Sequence, residues 1–399
     1  MDRQRVDSVD VLRAIALMGM IICHYPIFLS SGEGSDVMLY FFANHLLGGD
    51  CGASWFVFLV GLSQVISFKK METAQDKNVS RVVIRGIAIF VVGLLFLLFI
   101  QGYAELWVWD ILTFIGATII ILLICRKAPS WGLLLICLAV FLITPWLRSL
   151  IDIASFYGGQ FESVKWISDI IPNFIFDPVK DYEGANTVLE NVIGFFLIGQ
   201  FPLLPWIIFP LIGFVVGRRM TQNLLAADSP FILIIGIMFT AMGLFTAYAG
   251  SIKSSFFVAT DYITPLSFYP LSFSMIMFLV GIVLMLFILL WRIYDANPDN
   301  TKKQGVFLIY CRQVSKYSLT IYISHFALFF IPLRIIKAAT GTDYMRDLVS
   351  TPVAFALAVL LIILYYPLLK VWDKADGKYS LEWLLARLLS MNKTAELKA

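Results

Sequence analysis

Arg13 and His24 stand eleven residues apart inside one apolar run, and that spacing is the first sign of chemistry in the chain. Eleven residues on an α-helix turn through about 1100°, returning to within roughly 20° of the starting face, and climb about 16 Å. A guanidinium and an imidazole therefore line one stripe of one helix, far apart along it. Ionisable side chains inside an apolar span are costly to hold there and normally face a cavity or a partner. Read without function, Arg13 reaches the headgroups or pairs with Asp10 one turn earlier, and His24 bonds a neighbouring carbonyl. Their shared face favours the other reading, in which the two mark the ends of a polar passage.

Four further residues join them. His45 and Asp50 precede the second apolar run, Asp110 opens the fourth, and His325 falls within the ninth. With His24, these are all the histidines of the chain, and the predicted topology puts the three at one depth. An imidazole titrates near neutrality, and a carboxylate can hold it in the tautomer a general base needs. Plain structural roles compete: His45 as a loop residue, Asp110 as the cap of its helix, His325 as a core hydrogen bond. There is no Gly-x-Ser-x-Gly elbow, phosphate loop or His-Glu-x-x-His pattern. Cys23, Cys51, Cys125, Cys137 and Cys311 have no metal-ligand spacing and read as packing residues, so no metal is expected. What remains is acid-base chemistry on a bound substrate.

The elements that must position these residues are membrane helices. Hydrophobic residues make up 60% of the 399 and charged ones only 14%, and the mean hydropathy is +0.85, values that would cover a soluble globule with apolar patches. An all-α polytopic membrane protein of about ten transmembrane helices follows, with spans near 9–30, 52–68, 82–101, 106–125, 130–147, 191–217, 231–250, 266–292, 314–335 and 352–371. The first run carries Asp10 and Arg13 and lacks a small-residue cleavage site, so it reads as a retained helix rather than a signal peptide. Lys69, Lys70, Arg126, Arg218 and Lys302 fall in every second loop, which places those loops and both termini in the cytoplasm. Residues 1–375 read as a single membrane domain, with the acidic outer loop 148–190 either a solvated connector or a cap over an outward-facing site. Three prolines in Phe201-Pro-Leu-Leu-Pro-Trp-Ile-Ile-Phe-Pro predict a broken helix. Residues 376–399 form a cytoplasmic tail whose leucines, Leu381, Leu384, Leu385 and Leu388, fall on one face of a surface helix. A net charge of +3, spread over short loops, gives no footprint for nucleic acid.

Several stretches carry a resemblance. Ser8-Val-Asp-Val-Leu-Arg13-Ala-Ile-Ala, with His24 eleven residues after the arginine, resembles the first helix of the transmembrane acyltransferase superfamily. Gly49-Asp50-Cys-Gly-Ala-Ser-Trp, Trp109-Asp110-Ile-Leu-Thr-Phe-Ile-Gly116 and Phe201-Pro-Leu-Leu-Pro-Trp206 are similar to its heparan-α-glucosaminide N-acetyltransferase-like branch. Ser318-Leu-Thr-Ile-Tyr322-Ile-Ser-His325 resembles a helix shared across the superfamily.

The resemblance implies acyl transfer from cytoplasmic acyl-CoA, acetyl-CoA above all, to a sugar amine or hydroxyl on the outer face. It implies donor contact by Arg13 and a catalytic base at His24, as in the acyltransferase-3 branch, or at His45, as in the heparan-glucosaminide branch. Asp50 or Asp110 would orient the imidazole, and His325 would help to place the acceptor or the thioester. The gap from His45 to Asp50 is shorter than in that branch, and Ala14 replaces the usual glycine. The expected partners are acyl-CoA, a glycan or amino-sugar acceptor and membrane lipid, with a dimer possible and the plasma membrane as location. A transporter or flippase would use the same residues as a proton relay or substrate site; the lack of an internal repeat speaks against it.

Overall fold

A computed structural model of the chain describes residues 5–30, 49–73, 79–101, 108–151, 188–251, 266, 268, 271–296, 305–342, 344–345 and 347–396. Every long element among them is helical: α1 (Asp7–Leu29), α2 (Gly49–Thr73), α3 (Ser80–Phe96), α4 (Ile111–Ile124), α5 (Ser130–Ser149), α6 (Val188–Ile193), α7 (Leu203–Trp206), α8 (Ile208–Thr221), α9 (Leu225–Ser251), α10 (Phe273–Tyr294), α11 (Val306–Lys316), α12 (Ser318–Thr340), α13 (Thr351–Lys374) and α14 (Leu381–Glu396). Nine helical stretches among the described residues are long and apolar enough to cross a bilayer. The protein is an all-α polytopic membrane protein. The span predicted over 106–125 is the shorter helix α4, extended by a 3-10 turn, Cys125–Lys127. Most of the 148–190 loop and the segment holding His45 lie outside the described residues.

The span predicted over 191–217 is interrupted, as its prolines require: α6 passes into a π turn at Gly194–Ile198, and α7 and α8 follow separately. The span predicted over 314–335 differs from expectation. It starts at Ser318, because the helix breaks at Tyr317 (φ −108°, ψ 28°), and α11 before it is a separate element.

The chain forms two compact units. In residues 60–282, α3 and α4 pack through small residues. A Cβ on Gly116 would lie 2.6 Å from the Gly86 carbonyl oxygen and 2.5 Å from the Phe90 amide nitrogen. Backbones that close pack tightly where lipid supplies no hydrophobic drive between helices. In the same unit α5 and α9 leave large apolar side chains exposed, among them Trp131, Leu142, Phe231 and Phe245, as helices facing lipid do.

The other unit, residues 1–59 with 283–399, packs α1 beside α11, α12 and α13. Pairings across it set the directions. Arg13 bonds Ser315 and His24 bonds His325, so α1 runs parallel to α11 and α12. Tyr317 bonds Asp373 and Ser324 bonds Tyr365, so α13 runs antiparallel to α12.

The α3–α4 contact yields a stability test. Gly116→Ala should cost about 1–3 kcal/mol and lower the unfolding temperature of the detergent-purified protein, and Gly116→Ile should prevent stable folding. An unchanged transition in both would refute the close approach.

Candidate functional site

The site is built on α1, α11 and α12, all within one unit. At its first level α1 begins without a cap of its own. Asp295 supplies one from the end of α10, its two carboxylate oxygens accepting from the amides of Asp7 (2.9 Å) and Ser8 (2.8 Å). A carboxylate there satisfies orphan N–H groups and meets the positive end of the helix dipole. Burial pushes the Asp295 carboxyl above its ordinary range, against the pull of the groups donating to it. Arg312 of α11 forks onto Asp7 through Nε (2.7 Å) and Nη2 (2.8 Å), and Arg5 bonds Asp10. The Asp7–Arg312 pair fixes α1 against α11 in one register.

Less than one turn beyond Asp10, Arg13 Nη1 donates to Ser315 Oγ at 2.7 Å. The guanidinium is half-buried and Ser315 is buried. Asp10, the partner that a purely structural reading offers Arg13, also bonds Arg5.

Three turns further along α1, His24 meets His325. Nδ1 of His24 lies 2.9 Å from Nε2 of His325, and the rings are nearly parallel, with an interplanar angle of 4°. The other nitrogen of His325, Nδ1, is 3.1 Å from the Ile321 carbonyl oxygen one turn earlier on α12. A carbonyl oxygen only accepts, so Nδ1 of His325 carries the proton and Nε2 of a neutral His325 carries a lone pair. That lone pair takes the Nδ1 proton of His24. Nε2 of His24 is left with a lone pair of its own. His325 is fully buried, whereas His24 keeps part of its surface open. Phe28, Phe326 and Tyr322 crowd the two rings and keep the pair in apolar surroundings.

The break at Tyr317 positions His325. The Tyr317 hydroxyl donates to Asp373 of α13 at 2.7 Å, and Lys316 and Gln313 bond the same carboxylate. The amides freed at the start of α12, Leu319 and Thr320, donate to Glu382 of α14 at 2.7 and 3.1 Å. A second remote carboxylate thus caps the helix that carries the second histidine.

Of the residues singled out in the sequence, the structure pairs His24 with His325 and sets Arg13 about 16 Å away along α1, against Ser315. Asp110 belongs to the other unit, where it caps α4: Oδ2 accepts from the Leu112 amide at 2.9 Å, and the residue is buried. The group seen on Nδ1 of His24 is His325 rather than a carboxylate. Asp50 falls in the first turn of α2, and His45 lies outside the described residues. Among the described residues, no three of His, Cys, Asp and Glu gather to hold a metal ion. Ser315, Asp295, Asp373 and Glu382 escaped the sequence reading. A partial signal existed, since Ser315 precedes His325 by almost the interval that separates Arg13 from His24.

The fold and this site define a polytopic helical membrane protein with a paired-histidine centre. The family described as heparan-alpha-glucosaminide N-acetyltransferase, catalytic, matches residues 5–230. That is more than half of the 399 residues, and the chain belongs to this family. No curated protein matches it significantly. The matched residues include Arg13, His24, His45, Asp50 and Asp110 and end before His325.

The hydrogen-bond chain makes a tautomer prediction. Nitrogen-15 spectra of a His45→Asn protein, which retains two histidines, should show both as the Nδ1–H form, with Nε2 of His24 unprotonated. If both rings carry their proton on Nε2, the chain is read in the wrong direction.

Proposed function

We propose that this membrane acetyltransferase-like protein moves an acyl group, acetyl in the first instance, from acyl-CoA to the amine or hydroxyl of a sugar, with His24 as general base. One observation carries the proposal: His325 and the Ile321 carbonyl hold His24 so that its Nε2 lone pair is the one left to meet an acceptor. In the step proposed, His24 Nε2 takes the proton from the acceptor nitrogen or oxygen as that atom bonds to the thioester carbonyl carbon. The tetrahedral intermediate collapses, the C–S bond breaks, and the CoA sulfur leaves with the proton His24 accepted. His325 acts through His24 as a positioning residue, because its lone pair fixes which nitrogen of His24 is basic.

Arg13 lies about 16 Å along α1 from His24. A donor that ends in a thioester on a long anionic arm suits that separation, with the guanidinium meeting the arm and the histidine meeting the thioester. The basic loops support both termini inside, and with them a cytoplasmic donor and an acceptor on the outer face; the plasma membrane is the location proposed. On this reading residues 1–375 act as one membrane domain. Asp110 serves by holding α4.

The test uses the full chain in detergent with labelled acetyl-CoA and glucosamine. His24→Ala should lower turnover by about 10²- to 10⁴-fold while acetyl-CoA still raises the unfolding temperature. Arg13→Ala should lose that ligand-induced rise. A folded protein that neither binds nor consumes acetyl-CoA ends the proposal. In sealed vesicles, acetylation of an impermeant sugar supplied on the same side as the CoA would overturn transfer across the membrane.

A further inference from the structure

On the side of α12 turned toward α13 is a cavity of about 780 Å³ that the acyl-transfer chemistry does not use. Its walls are Ala327, Leu328 and Ile331 of α12 and Leu361, Leu364 and Leu368 of α13. The hydroxyls of Ser324 and Tyr365 also line it, but they bond each other at 2.7 Å, and with Ser324 Oγ donating to the Ile321 carbonyl neither hydroxyl proton is left unmet. Along α13 the lining extends from Leu361 to Ala375, a rise of about 21 Å. That exceeds half of a hydrocarbon core of about 30 Å, so the groove has the length of one acyl chain in one leaflet.

One end of this groove is polar. Lys378 and Tyr379 line it there beside Trp372, whose Nε1 donates to the Lys378 carbonyl at 2.7 Å. Tyrosine, tryptophan and lysine together are the residues of a membrane-water boundary. The charge at this end is set by which acids are already committed. Asp373 is taken by Gln313, Lys316 and Tyr317, and Glu382 by the start of α12. Lys370, Lys374 and Lys378 then face one uncommitted carboxylate in this stretch, Asp376. Among the described residues neither Lys374 nor Lys378 has a carboxylate partner.

We infer that this groove is a binding site for one anionic phospholipid of the surrounding bilayer, its acyl chain between α12 and α13 and its phosphate at Lys378. An apolar trough of one-leaflet length with a net positive rim at headgroup level complements both halves of such a lipid. The inference is independent of chemistry at His24. It does place a lipid chain against the helix that carries His325, with Ser324 in the wall.

Native mass spectrometry of the full chain in detergent tests it. The probes are phosphatidylglycerol, phosphatidylcholine with the same chains, and a polyprenyl phosphate. One phosphatidylglycerol should be retained per chain, more tightly than phosphatidylcholine. Lys378→Gln should weaken it about fivefold. Ala327→Trp, which fills the groove, should abolish retention, and Leu364→Trp serves the same purpose should the first variant misfold. Equal retention of the two phospholipids overturns the proposal, and so does retention that survives Lys378→Gln or a folded groove-filling variant. Preferential capture of the polyprenyl phosphate also overturns it, by pointing to a lipid-linked substrate.

Discussion

The hydrogen bond from His24 to His325 is the constraint around which this unit is arranged. An imidazole pair transmits tautomer identity: once the Ile321 carbonyl fixes the proton on one ring, the lone pairs of both follow. For that to work, two helices from opposite ends of the sequence must present their rings within hydrogen-bond reach. The register of α1 against α11 and α12 is therefore tied to the chemistry, since a slip of one residue turns a helical side chain by about 100° and removes the ring from its partner. Asp7–Arg312, Arg13–Ser315 and His24–His325 are three successive pins of that one register. The first lies farthest from the histidines and is ionic, and the last is neutral and deepest within the apolar cluster.

The two histidine helices share a second device. Neither α1 nor α12 has a cap from its own N-terminal residue, and each is closed by a carboxylate from a distant element, Asp295 or Glu382. A local cap stabilises a helix in any position, whereas a remote one stabilises it only when the two elements are docked. Helix formation and assembly are thereby coupled. The coupling has a structural counterpart at Tyr317, where the break in the helix costs backbone hydrogen bonds that Glu382 restores in part. Irregular backbone in a membrane protein persists only with such replacement partners.

Much of the fold was legible because the bilayer imposes it. An apolar run long enough to cross hydrocarbon must satisfy its backbone internally, so length and composition located the helices, and prolines located the interruption before α8. The break at Tyr317 was not legible. No proline or glycine marks it, and its causes are Asp373 and Glu382, more than fifty residues away in sequence. The stripe shared by Arg13 and His24 followed from helical period alone, and the structure sets both residues against the same neighbouring segment. That His325 would be the partner of His24 could not follow, since no spacing rule links positions 301 residues apart. Asp110 shows the reverse case: a capping role and a catalytic one both fitted its place, and its bond to the Leu112 amide shows the cap at work.

The family match ends at residue 230, yet the histidine pair needs α12, nearly a hundred residues later. A centre shared between the chain's two ends would be expensive to assemble from an unfolded coil, because its defining contact closes most of the chain into a loop. The cost grows only with the logarithm of loop length. At the start of α1 a forked arginine-carboxylate pair, at 2.7 and 2.8 Å, holds α11 to α1 through charge and geometry together. The neutral, directional histidine bond, 2.9 Å long, lies within the register that this pair sets. The ion pair near the end of the helices thus supports the precision of a neutral bond roughly five turns farther along α1, and a charge-free centre need not be loosely placed.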